Sequence, residues 1–186
     1  MQKKDSIQFP RREFLALAAL GGDGAVVTPV AVPDRWREAH LVHRCIMLHE
    51  GAGELGALQQ RERQRMSAKL NAALDEGRTI AVSTYAAALA QRTEAIAALS
   101  AWLAPYDAIV APAAPGPAPR DLAQTGDPSC CTLWSLLGFP AICIPAGFAR
   151  NGMPLGLQIA AAPDADDRLL AIAQWCEARL PFRGLA

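Results

Sequence analysis

The sequence predicts an α/β fold, a sheet flanked by helices, and three observations carry that expectation. Apolar residues make up 52% of the 186 positions and charged residues 19%, which is enough apolar surface for one real core and too much for a disordered chain. Alanine supplies 38 residues against 11 aromatics, a bias toward helices that pack closely. Three short apolar runs in the second half, Ala108–Val110, Ala141–Ile144 and Leu155–Ile159, are bounded by proline, glycine and asparagine in the manner of strands.

Composition also excludes whole classes of function. Eighteen basic residues balance eighteen acidic ones, so no global field gathers nucleic acid or an anionic membrane, and neither is expected as a partner. The five cysteines, Cys45, Cys130, Cys131, Cys143 and Cys176, are odd in number and irregular in spacing. That pattern argues against a disulfide framework and for a reducing compartment, hence a cytoplasmic location. No stretch approaches the roughly 20 apolar residues that span a bilayer.

Along the chain, residues 1–11 are a flexible polar tail, and residues 12–186 carry the folded part. The pair Arg11-Arg12 ahead of the apolar run Phe14–Leu20 resembles a twin-arginine export signal, an alternative to the cytoplasmic location. Asp23 and the glycines at 21, 22 and 24 break that run, which favours a helix of the folded protein. Gly24 stops this helix, and Ala25–Val30 is β-branched enough to form a short strand. Asp34 caps a helical stretch from Arg35 to about Met66, in which Gly51, Gly53 and Gly56 suggest a break or a close backbone approach, so two helices are allowed. A short helix from Ala68 to Glu76 is closed by Gly77, and Ser83 or Thr84 caps a long one with Tyr85, Leu89, Ile96, Leu99 and Trp102 on one face. The strand near Ile109 leads into a proline-rich loop. The strands near Ile142 and Leu157 form a hairpin through Asn151-Gly152, after Pro145 and Gly147 turn the chain. Asp164 caps a last helix that places Leu169, Ile172, Cys176 and Leu180 on one face. The three strands share one sheet, with the helices around Leu89 and Leu170 packed upon it.

Three side-chain groupings are candidates for chemistry. His40, His43, Cys45 and His49 are all zinc-ligand types, but at 100° per residue Cys45 and His49 point about 140° and 180° away from His40, so one helix cannot aim all four at one ion. Cys130-Cys131 lacks the C-x-x-C spacing and has no histidine nearby in sequence, which favours small buried hydrophobes over a redox pair or nucleophile. Ser67 and Lys69, two apart, point to different sides of a helix, so they mark a helix start. No metal or cofactor is expected.

One combination of blocks is more specific: Tyr106–Pro112, Thr125–Pro128, Trp134–Gly147 with Gly138-Phe139-Pro140-Ala141-Ile142 and Pro145-Ala146-Gly147, then Gly152–Ile159 with Pro154-Leu155-Gly156-Leu157-Gln158-Ile159. In order and spacing these resemble the C-terminal part of the amidase signature family, over about residues 25 to 182. The resemblance implies a mixed sheet flanked by helices, incomplete relative to the full family domain, and hydrolysis of the carboxylic amide C–N bond in the complete enzyme. The family works through a nucleophilic serine, a second serine in a cis peptide and a lysine, held in a lysine-bearing segment and a Gly/Ser-rich stretch. The lysines here are Lys3, Lys4 and Lys69, and Ser6, Ser67, Ser83, Ser100, Ser129 and Ser135 lie in no such stretch. No catalytic residue is therefore carried over. The expected function is the C-terminal part of an amidase hydrolase, inactive alone, with a small-molecule amide as substrate only when the other half completes it. The alternative is a non-catalytic binding or partner polypeptide that completes a separately encoded amidase-like chain. Exposed sheet edges suggest self-association. Gly126, Asp127, Cys130 and Trp134 are the candidate substrate-lining residues, because a loop leading to a capped helix on a rigid sheet is where binding groups collect. For Asp127 a plain capping role, with Pro128 opening the helix, is the other reading.

Overall fold

Gly138 marks where helix gives way to sheet. Its φ of +71° is the left-handed conformation that ends a helix, and the N–H groups of Gly138 and Phe139 both return to the Trp134 carbonyl, at 2.9 and 3.1 Å. The computed structural model describes residues 20–31, 33, 36, 38–180 and 182. The polar tail, the Arg11-Arg12 pair and the proposed cap Asp34 lie outside them. Two compact units are present, one whose residues fall within 1–31, 102–134 and 138–186, and one within 32–101 and 135–137.

The first unit is built on a three-stranded sheet of β1 (Ile109–Pro112), β2 (Ala141–Phe148) and β3 (Pro154–Ala160), in the order β1-β3-β2. The three apolar runs thus share one sheet, and the expected α/β character holds. Both pairings are antiparallel, with no parallel pair among the described strands. Val110 and Ile142 flank Ile159 on one face, and Ala111 and Cys143 flank Gln158 on the other, as the two-residue period of a strand requires. Helix α5 (Asp166–Glu177) covers the first face: Leu169, Ala173 and Cys176, with Leu180 beyond its end and Leu20, pack on Ile144, Leu157, Ile159 and Ala161. Leu157 and Ile159 are 1% and 0% exposed. Burying a side chain of that size contributes about 1.5–3 kcal/mol.

Several local expectations need correction. Ala25–Val30 is not a strand; Val26 is 95% exposed, because β-branched propensity is realised only against a partner strand and none lies opposite among the described residues. Gly24, with φ +99°, does end the helical turn before it. Pro145 does not turn the chain: β2 runs on to Phe148 with a bulge between Pro145 and Gly147. A proline without an N–H is tolerated because β2 is an edge strand. The turn comes at Asn151-Gly152, where Gly152 has φ +81° and the Ala149 N–H meets the Met153 carbonyl at 2.8 Å. Asp164 sits in a left-handed turn with φ +61°, and the residue flanking α5 is Ala165, which has no side-chain cap; Asp166 and Asp167 do occupy the first turn.

The second unit is helical: α1 (Ala39–Glu62), a 3₁₀ turn at Arg63–Arg65, α2 (Ala68–Thr79) and most of α3 (Val82–Leu103). Helix α1 passes through Gly51, Gly53 and Gly56 unbroken. Each interior glycine costs about 1 kcal/mol of helix propensity, which the packing of Leu48, Ala52 and Gln59 outweighs. The close approach lies instead at Gly77, which does not stop α2: a Cβ there would overlap the Leu48 carbonyl and come within 2.9 Å of the Ala52 Cβ. Ser67 starts α2 as expected, its hydroxyl accepting the Leu70 N–H at 3.1 Å. Ser83 and Thr84 fall inside the first turn of α3, which begins at Val82, with the Thr84 and Tyr85 N–H groups bonded to Ala81.

A polar network keys α1 to α2. Gln59 is fully buried; its Nε2 donates to Asn71 Oδ1 at 3.0 Å and to the Asn71 carbonyl at 3.2 Å, and its Oε1 accepts from Arg78. Arg63 forks onto Asp75 at 2.5 and 3.0 Å, and Arg44 onto Glu76 at 2.5 and 3.2 Å. Tyr85 on α3 stacks on His49 at 4.3 Å and donates to Glu50 at 2.8 Å, which raises the phenol pKa above its ordinary value. The helix around Leu89 belongs to this unit, not to the unit that holds the sheet.

Gly77→Ala is expected to destabilise the fold by about 1–3 kcal/mol, since the methyl meets backbone rather than a yielding side chain. Gly51→Ala, whose new Cβ would meet only Leu74 Cδ2 at 3.8 Å, is expected to be neutral or stabilising. Urea unfolding of the two variants measures both.

The hydrogen bond from Arg63 holds the Asp75 carboxyl at about 2, down from 3.8. A carboxyl whose folded pKa is depressed contributes stability that is complete above the unfolded value and is lost as pH falls toward the folded one. Stability is therefore expected to drop between about pH 4 and pH 2, with the drop reduced in Asp75→Asn. Denaturation midpoints across that window, compared between wild type and variant, decide it.

Candidate functional site

The segment expected to line a cleft becomes the entry to helix α4 (Ser129–Leu137). Gly126, with φ +88°, sits against Pro119, whose Cδ would lie 3.6 Å from an added Cβ. Asp127 is exposed and its Oδ1 accepts the Ser129 N–H at 2.8 Å, so the carboxylate satisfies a donor at the positive end of the helix. The Pro128 carbonyl then collects the Thr132 hydroxyl at 2.9 Å and the Cys131 thiol at 3.1 Å. Cys130 is half-buried in the first turn. Trp134 follows four residues on, along the same side of the helix. It is 6% exposed and tilts against Phe139 with ring centroids 6.5 Å apart.

Trp134 reaches the sheet. Its indole N–H donates to Oε1 of Gln158 at 2.9 Å, a bond between two buried side chains. Gln158 lies mid-way along the central strand, flanked by Ala111 and Cys143, on the face opposite the α5 core. Gly156 is obligatory on that face, because an added Cβ would overlap the Cys143 sulfur and come within 3.0 Å of the Ala113 methyl. Partial shielding from water raises the Cys143 thiol pKa, leaving it a poor thiolate. Of the four residues singled out in the sequence, Asp127, Cys130 and Trp134 therefore share one helix and its entry, Gly126 lies in the loop before it, and Trp134 is hydrogen-bonded to the sheet. Gln158, Gly156 and Cys143 were not singled out. The signal was a lone amide in the otherwise apolar run Leu155–Ala160.

The other groupings do not converge. Among the described residues no three His, Cys, Asp or Glu side chains gather as metal ligands. The five cysteines form no disulfide. Ser67 is occupied as a helix cap next to exposed Lys69.

A profile of the amidase family matches residues 38–170, and the chain belongs to that family. Its relatives include the glutamyl-tRNA(Gln) amidotransferase of Brevibacillus brevis, whose A chain is 34% identical over 107 residues, which is 54% of this chain and 22% of that protein. The fatty acid amide hydrolase of Arabidopsis thaliana is 45% identical over 47 residues, 25% of this chain and 8% of that protein. Among solved structures, the crystal structure of an amidase superposes with a TM-score of 0.83 at 28% identity, over 91% of this chain and 42% of its own. The chain thus spans about a fifth or less of these two curated relatives and about two-fifths of that solved amidase. No helix among the described residues is long and apolar enough to cross a membrane.

Gly156→Ala is expected to destabilise by about 1–3 kcal/mol through collision with the Cys143 sulfur. In the Cys143→Ala background the penalty should shrink, giving a coupling of about 0.5–3 kcal/mol in a double-mutant cycle. Additive penalties would place the strain elsewhere.

Proposed function

We propose that this chain is the C-terminal part of an amidase signature hydrolase, which supplies one wall of an amide site and does no chemistry alone. The fold match over 91% of the chain to a solved amidase is the observation that supports this most. Amide hydrolysis needs a nucleophile to attack the carbonyl carbon, a proton shuttle that deprotonates it and later protonates the leaving amine, and N–H donors for the tetrahedral oxyanion. In this family a serine pair and a lysine fill the first two roles. In the present sequence Ser67 caps a helix, Lys69 is exposed beside it, and no Gly/Ser-rich stretch provides the donors. The contribution of this chain is positional. Asp127 and Cys130 at the start of α4, with Gly126 in the loop before them, face a small-molecule carboxamide, and Trp134 braces that helix against β3.

A partner polypeptide carrying the nucleophile is the second reading, favoured by the fact that the chain covers 42% of the solved amidase it matches. The outer edges of β1 and β2 are where such a partner, or a second copy, would add strands, although Pro145 and the bulge limit pairing along β2. The proposed location is the cytoplasm, where five cysteines outside any disulfide are stable as thiols.

The purified chain is expected to hydrolyse a panel of short aliphatic and aromatic amides no faster than buffer, and to take up no stoichiometric serine-directed fluorophosphonate. Co-expression with the Gly/Ser-rich N-terminal half of an amidase should restore turnover. Hydrolysis by the chain alone, with one serine labelled per molecule, overturns the proposal.

A further inference from the structure

We propose that Asn151 is a site of spontaneous deamidation, and that the end of the β2–β3 hairpin sets its rate. Arg150, Asn151 and Gly152 form the exposed loop between the strands, closed by the Ala149 N–H on the Met153 carbonyl at 2.8 Å. Within the loop the Met153 N–H donates to Asn151 Oδ1 at 3.2 Å. The ring closed by that bond contains the side-chain carbonyl carbon of Asn151 and the backbone nitrogen of Gly152, an electrophile and a nucleophile kept close together. The same N–H polarises the carbonyl it meets. Nothing lies within 4 Å of where a Cβ on Gly152 would sit, so its nitrogen is sterically open.

The Gly152 nitrogen, once hydroxide has taken its proton, bonds to the Asn151 side-chain carbon. The side-chain nitrogen takes up a proton and leaves as ammonia, and a succinimide remains. Water then opens that ring at either carbonyl, so the sum is amide plus water to carboxylate plus ammonium. Opening at the side-chain carbonyl gives aspartate; opening at the main-chain carbonyl gives isoaspartate, whose backbone runs through the side chain and is one carbon longer. One hydrogen bond opposes the first step. The Gly152 N–H donates to the Ala149 carbonyl at 3.0 Å, and this bond breaks before the nitrogen attacks, which is how the hairpin end controls the rate. A lengthened loop cannot keep the Ala149–Met153 pairing, because loop length fixes hairpin register. Pairs further along, at the buried Ile159 and Gln158, are held by their side chains. Asn71, the other asparagine, precedes Ala72 inside α2, and its side-chain nitrogen donates to the Arg63 and Met66 carbonyls at 2.9 and 3.3 Å.

The test is incubation of the full chain in warm, mildly alkaline buffer, folded and in urea, followed by peptide mapping with mass spectrometry and isoaspartyl methyltransferase labelling. In the folded chain Asn151 is expected to convert to a mixture of aspartate and isoaspartate while Asn71 survives, and unfolding is expected to speed the loss of Asn151 about tenfold or more. Asn151→Asp, freshly purified, carries the new charge without the extra carbon. It is expected to keep the Ala149 N–H protected from hydrogen exchange, whereas the isolated isoaspartyl chain loses that protection. Asn151 intact in the folded chain after its full conversion in urea overturns the inference. So do equal rates in the two conditions, which would remove the hairpin's control, and conversion without isoaspartate at residue 151, which would remove the succinimide. Equal protection of Ala149 in the isoaspartyl chain and Asn151→Asp overturns the structural consequence.

Discussion

The sheet unit depends on β3 being a central strand used on both faces. Its backbone is paired on both sides, to β1 and to β2, which commits its side chains to two opposite layers. Leu157 and Ile159 fall on one side and bring α5 with them through Leu169, Ala173 and Cys176. Gln158 falls on the other and, through one hydrogen bond, brings Trp134. A slip of one residue would exchange these layers, placing an amide in the apolar core and two large aliphatics against an indole N–H. Register is thus specified from both faces at once, and the bulge at Pro145–Gly147 accommodates the edge strand without disturbing it.

The helical unit solves its packing differently. Its interface between α1 and α2 has few large apolar groups; Leu48, Ala52 and Leu74 are buried beside a fully buried glutamine. Such an interface is tolerable only if the amide is saturated, and it is: the Gln59 nitrogen donates to Asn71 and the oxygen accepts from Arg78. The surrounding Arg63–Asp75 and Arg44–Glu76 pairs are surface exposed, with side chains 43–54% accessible, and such pairs contribute little individually. Their effect is to hold the register in which Gln59 meets its partners. Gly77 sets the other half of that register, because only a glycine lets the Leu48 carbonyl come so close.

What was legible in the sequence follows the range of the interactions involved. Strands near Ile109, Ile142 and Leu157, the Asn151-Gly152 turn and the apolar face of the last helix are determined within a few residues, and the structure has them where the pattern puts them. The errors share a different cause. Gly51, Gly53 and Gly56 looked like helix breaks and Gly77 like a helix stop, yet the glycine that matters is decided by Leu48, on a different helix. Ala25–Val30 has strand composition without a strand to pair with among the described residues. Pro145 signalled a turn because its missing N–H is visible in the sequence, whereas its place on an edge strand is not.

The same distinction explains the candidate site. Asp127 was recognisable because a carboxylate ahead of a proline and a serine is a local helix-entry pattern, and its bond to the Ser129 N–H spans two residues. Gln158 was hidden because its partner is 24 residues away and because one glutamine in an apolar strand carries no motif of its own. The family blocks contain both residues, Trp134 at the start of one and Gln158 near the end of the next, but order and spacing alone do not say that they touch. Once they do, the chemistry of the pair is asymmetric: a donor-only indole fixes which end of the amide it meets, so one hydrogen bond ties α4 to β3 in a single orientation of the glutamine.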